Sequence, residues 1–144
     1  IQHQERITEG SRAFQIWFDP NFKQAVQQKP AYVDYHSNDF QPTMEAGVAT
    51  ISYIGSGSKV QALTPDLTIK KLIFQQKTKK SIALNEQCSY TFYVLKGDGI
   101  VENSPIAQDD AIRVSGSSSL NIDFEGELFY IELPTVLPYK AVWE

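Results

Sequence analysis

A chain of 144 residues, 42% hydrophobic and 12% aromatic, has the length of one domain and enough apolar surface for a core, which excludes wholesale disorder. Its net charge of −4, from 13 basic and 17 acidic side chains, offers no basic face for nucleic acid, and no apolar run approaches the roughly 20 residues of a membrane helix. One cysteine, Cys88, excludes an internal disulfide framework and a Cys-rich zinc site; with no apolar signal segment in view, the expected compartment is the cytoplasm.

Most segments alternate apolar and polar residues with period two, the pattern of half-buried strands. In residues 13–18, Phe14, Ile16 and Phe18 share one face, and Asp19-Pro20-Asn21 stops the run. Residues 24–30 read as loop or one helical turn. A short aromatic strand is predicted over 31–36, then a β-branched one over 48–54 that ends at Gly55-Ser56-Gly57-Ser58. Residues 67–74 alternate again, and 80–84 form another strand.

Further on, 90–95 is a strand closed by Lys96-Gly97-Asp98-Gly99, read as a hairpin. A return strand starts at Ile100-Val101 and breaks at Asn103-Ser104-Pro105. Residues 111–114 follow, then Leu120, Ile122 and Phe124 on one face. Gly126 turns the chain into 128–133, and Pro134 ends it. Nine or ten short strands at this rhythm, with little helix, predict an all-β antiparallel barrel or jelly roll in a single domain.

The chemistry-bearing residues are few. His36 sits at a strand end with nothing in sequence to orient it, as a catalytic triad would require. Cys88 reads as a small packed hydrophobe, with no adjacent cation to lower its pKa. The glycines of 96–99 close a strand rather than open a helix, so they do not form a phosphate loop. Lys77, Lys79 and Lys80 read as a solvated surface. Asp109 and Asp110, as neighbours in an extended chain, point apart and cannot share a proton. His3 and Glu5 differ: in an extended strand residues i and i+2 face one way, and imidazole and carboxylate both ligate iron, manganese, nickel or zinc. Two ligands alone do not make a centre.

His3-Gln4-Glu5, followed by Arg12-Ala13-Phe14-Gln15-Ile16-Trp17-Phe18-Asp19-Pro20, resembles the centre of the pirin family. Pirins carry a His-x-Glu, then a Leu/Phe-Gln-Leu/Ile-Trp strand and a Pro-containing turn. Lys29-Pro30-Ala31-Tyr32 is similar to the family's Pro-x-Tyr element, and the later strands resemble a pirin's second barrel. Gln4 departs from the usual Ser.

The resemblance implies a two-barrel cupin protein of bacterial type, of which this chain is the C-terminal half. Residues 1–12 would be a remnant of the metal-binding barrel and its connection, and 13–144 the second cupin-type jelly-roll barrel. His3 and Glu5 would match two of four metal ligands, with a His-x-His pair upstream of Ile1. The metal would be iron first, with nickel, manganese, copper or zinc as alternatives, and no metal is expected on this fragment. The whole protein would be a metal-dependent dioxygenase of the quercetin 2,3-dioxygenase type, acting on a flavonoid-like small molecule. The metal would act as a Lewis acid and Glu5 as ligand and base together; the fragment alone would be inactive.

Two other readings stand beside this one. In one, the chain is a non-catalytic interaction module for a regulator or metabolic enzyme, besides its missing N-terminal cupin half. Tyr139, Val142 and Trp143 are then a candidate exposed apolar patch, unless the tail folds back on the barrel. Or the barrel encloses a small-molecule pocket lined by Tyr90, Phe92, Tyr93, Phe129 and Tyr130, residues that also make ordinary core. No nucleic-acid or membrane partner is expected.

Overall fold

Seven strands carry the period-two pattern in the computed structural model, which describes residues 4–141. They are β1 (Thr43–Glu45), β2 (Val48–Ile54), β3 (Thr68–Ala83), β4 (Cys88–Val101), β5 (Ser104–Ala107), β6 (Ala111–Ser115) and β7 (Ser119–Pro134). The described helix is limited to α1 (Phe22–Ala25) and a 3-10 turn at Ser37–Asp39. The strands form one antiparallel sheet in the order β1-β2-β3-β7-β4-β5, with β6 also on β4. β6 lies along the first half of β4 and β5 along its second half.

The strands are fewer and longer than predicted. The strands predicted over 67–74 and 80–84 merge into the single strand β3, which spans Thr68–Ala83, 96–99 lies inside β4, and Gly126 lies inside β7. The glycines read as hairpins are bends. Gly97 pairs with Gly126, both at positive φ, +93° and +133°. A Cβ on either would overlap the backbone of the facing strand, so only glycine permits the approach. Register shifts between Phe74 and Thr78 and between Val94 and Lys96 fall at the same level. Bulges bend a strand and increase its twist. The turn after β4 is instead at Glu102, φ +53°.

The bends fold the sheet over on itself, so the two halves of β3, β4 and β7 contribute to one core. Phe92, Phe124 and Leu128 are fully buried and Phe74 nearly so, and the Phe74 and Phe124 rings meet edge-on at 5.5 Å. Burying each such side chain stabilises by roughly 1.5–3 kcal/mol. The result is the predicted jelly roll.

Two predicted strands do not form. Residues 13–18 and 31–36 have no ladder partner among the described residues. Alternation in 13–18 marks an apolar face, and Phe14 uses it against the barrel without entering the sheet.

Candidate functional site

The structure describes one of the two predicted metal ligands. His3 lies outside the described residues. Glu5 is exposed; its charge reaches the Tyr32 phenol, which is pushed up chiefly by donating a 2.7 Å hydrogen bond to Asp34 and only weakly by Glu5. His36 is exposed, and its backbone N–H donates to the Asp39 carboxylate at 2.8 Å. Among the described residues no group of three or more His, Cys, Asp or Glu is placed to hold a metal ion. A metal centre therefore does not fit the described residues by themselves.

The five aromatics proposed to line one pocket divide between two faces. Tyr90, Phe92 and Tyr130 point inward into the core cluster, with the Phe92 and Tyr130 ring centroids 5.3 Å apart. Tyr93 and Phe129 are sequence neighbours of inward residues, so alternation turns them outward, where Phe14 meets Tyr93 edge-on at 4.9 Å and stacks on Phe129 at 5.7 Å. Below Leu128 and Phe92 the interior is filled, as close packing requires.

Toward one end of the barrel the inner face becomes polar. Glu132 pairs with Tyr90 on β4 and with Thr68 on β3. The Tyr90 hydroxyl donates to Glu132 Oε1 at 3.1 Å and accepts the Asn85 backbone N–H at 2.8 Å. Burial is the main cause that pushes the Tyr90 phenol up to about 12. Burial also raises the Cys88 thiol, with the charge of Glu132 and a hydrogen bond to it as further causes. Phenol and thiol thus stay protonated at neutral pH and donate to the Glu132 carboxylate. Cys88, read from sequence as a small packed hydrophobe, is buried as expected, and its thiol also bonds to Glu132. A cleft of about 530 Å³ opens here, its walls including Gly55, Thr64, Asp66, Asn85, Cys88 and Glu132. Sequence reasoning missed Glu132 and Thr64; for Glu132 the signal was alternation with the inward-facing Leu128 and Tyr130.

A second feature lies on the outer face, where residues 12–40 cover β2, β4 and β7. Besides Phe14, Phe40 meets Tyr53 at 5.0 Å and Tyr53 meets Phe129 at 6.2 Å. Arg12 pairs with Asp109, which also accepts the Tyr93 hydroxyl at 2.7 Å. Asp110 bonds elsewhere, accepting the Ala107 N–H, so the two neighbouring carboxylates act separately. The Asn21 N–H donates to the Leu63 carbonyl at 3.2 Å. The Tyr139 hydroxyl donates to the Asp19 carbonyl at 2.7 Å. Tyr139 therefore turns back onto this segment instead of forming an exposed patch; Val142 and Trp143 lie outside the described residues. What the segment leaves exposed is Trp17, at 84%, with Phe22 and Val26 around a shallow apolar cleft. Lys77 and Lys79 are exposed on β3, as expected of a solvated surface, whereas Lys80 is half-buried with its Nζ 3.9 Å from Glu45.

No helix among the described residues is long and apolar enough to cross a membrane. No family model matches the chain, and no curated relative does. Solved structures do. A quercetin 2,3-dioxygenase from Acinetobacter baumannii is 25% identical with a TM-score of 0.59, over 65% of this chain and 33% of its own. The chain thus spans about a third of that protein. Pac13 from Streptomyces, a nucleoside dehydratase, is 19% identical with a TM-score of 0.58, over 72% of this chain and 83% of its own. An RmlC-like cupin from Shewanella frigidimarina is 12% identical with a TM-score of 0.56, over 73% of this chain and 93% of its own. Identities this low speak for architecture, and the bent antiparallel strands agree with them: the chain has the cupin jelly-roll fold.

Proposed function

We propose that the chain is the ligand-poor cupin barrel of a longer, pirin-like two-barrel protein, and that the whole protein is a metal-dependent dioxygenase of the quercetin 2,3-dioxygenase type. The observation that carries this reading is the barrel interior. It is filled by Phe74, Phe92, Phe124 and Leu128, and the one histidine among the described residues, His36, is exposed on the outside. The reading is supported by the likeness to a quercetin 2,3-dioxygenase three times the length of the matched part. In it, residues 13–144 supply rigidity and surface. His3 and Glu5 contribute half of a four-ligand set in the longer protein, with iron as the first candidate metal, and a flavonoid-like molecule is the substrate class.

Oxygen uptake with quercetin tests the proposal. Turnover by the longer, metal-loaded protein and none by the 144-residue chain is the expected result. Turnover by the chain alone, or none by the longer protein, overturns it.

A second reading, a non-catalytic interaction module, is favoured by one observation: Trp17, Phe22 and Val26 are 84%, 52% and 59% exposed around one shallow cleft. Large apolar side chains exposed together mark an interaction face. The preceding barrel would cover it in the first reading, and a separate protein in the second.

A further inference from the structure

We infer that the cleft at the polar end of the barrel binds a small organic cation of the amino-alcohol class, its ammonium on Glu132 and its neighbouring oxygen on Thr64. The site belongs to this barrel and does not depend on the dioxygenase reading.

Three observations converge. The first is an uncompensated charge. Glu132 is half-buried, receives hydrogen bonds from the neutral Tyr90 phenol and Cys88 thiol, and has no ion-pair partner among the described residues. A carboxylate removed from water is costly unless paired, and it offers about four acceptor positions, so two neutral donors leave room for an ammonium. Lys70, across from Tyr130 on β3, lies with its Nζ 6.0 Å over the Tyr130 ring.

The second is an unpartnered hydroxyl. Thr64 is only 7% exposed and lines the cleft, yet its side chain makes no hydrogen bond with the described residues. No polar side-chain atom there is both fully enclosed and unsatisfied, so the Thr64 hydroxyl opens onto the cleft, where it can donate to and accept from a ligand oxygen.

The third is the sign and size of the cavity. Its walls carry Asp66 and Glu132 but neither lysine nor arginine, so they favour a cation over an anion. About 530 Å³ is within the range of small-molecule sites.

Two-dimensional NMR of the 144-residue chain tests this with three probes of one size: ethanolamine, protonated at neutral pH, ethylene glycol as its neutral counterpart and glycolate as the anionic one. Saturable shifts at the amides of Thr64, Cys88 and Glu132 are expected with ethanolamine below about 50 mM, a weak affinity, and not with the other two. Glu132→Gln, which keeps the Tyr90 hydrogen bond but removes the charge, weakens binding at least tenfold. Thr64→Val weakens it about threefold or more, the loss of one neutral hydrogen bond. Equal shifts from ethylene glycol or glycolate, no saturation with ethanolamine, or variants that bind as tightly as the parent overturn the inference. Should Glu132→Gln fail to give a folded spectrum, Thr64→Val decides alone by the same criterion. None of these outcomes bears on quercetin turnover by the longer protein.

Discussion

Gly97 on β4 stands directly across from Gly126 on β7, where each backbone occupies the space that a Cβ on the other would need. The two glycines let the paired strands fold over and bring Phe74 against Phe124. Replacing either by alanine both forces a side chain into backbone and imposes a positive φ on it. Each effect costs of order 1–3 kcal/mol, so Gly97→Ala or Gly126→Ala should lower stability by about 3 kcal/mol or more in urea unfolding. Gly10→Ala, at positive φ but with open space around its Cβ position, should cost only about 1 kcal/mol.

These glycines also show where sequence reading stopped. Lys96-Gly97-Asp98-Gly99 has hairpin chemistry, and a single strand gives no sign that its glycine faces another. Only the register, which places Gly126 opposite, turns a hairpin signal into a bend. Alternation did identify strands correctly where the core enforces it, as in Val48–Ile54 and in Leu120, Ile122 and Phe124. It failed over 13–18, where the apolar face packs on a sheet without joining it. Glu5 was singled out by residue type and spacing, and neither signal carries any information about its surroundings. Glu132 and Thr64 carry no motif, and their common cleft joins β7 to the loop before β3, more than 60 residues away in sequence.

The division between interior and surface gives a contrasting pair. Phe92 is fully buried and Trp17 is 84% exposed. Phe92→Ala should destabilise the chain by about 3–5 kcal/mol through lost burial and a residual cavity. Trp17→Ala should shift its stability by no more than about 0.5 kcal/mol. If the face around Trp17 docks a second barrel, the same Trp17→Ala change in the longer protein should lower its melting temperature measurably, so calorimetry of chain and longer protein side by side checks both statements.

The clasp between Arg12 and Asp109 is sensitive to acid. The Tyr93 hydroxyl and then Arg12, by hydrogen bonds, hold the Asp109 carboxyl below its ordinary value of 3.8. A depressed carboxyl contributes stability that is fully present above the unfolded value and is lost as pH falls through the folded one. The segment around Arg12 should therefore stay docked at neutral pH and loosen below about pH 4. Limited pepsin digestion at stepped acidic pH should show cleavage near residues 10–16 rising over that window. Asp109→Asn, with the charge gone, should be cleaved at a rate that no longer depends on pH there beyond the protease's own profile.

At the other extreme of pH, Tyr90 sets the limit. Burial pushes its phenol up to about 12, and burial also raises Tyr130. For a group whose folded value is raised, the linked stability is intact below the unfolded value near 10 and is lost as pH climbs through the folded value. Ultraviolet titration should thus show exposed tyrosines such as Tyr32 ionising before Tyr90 and Tyr130, whose phenolate signal should appear together with unfolding between about pH 10 and 12. Tyr90→Phe removes the donor to Glu132 and the acceptor for the Asn85 N–H. It should cost about 1–2 kcal/mol at neutral pH while flattening the alkaline loss. An unchanged alkaline transition in Tyr90→Phe would assign that transition to Tyr130, whose phenol is raised by burial first and by the Glu132 charge second.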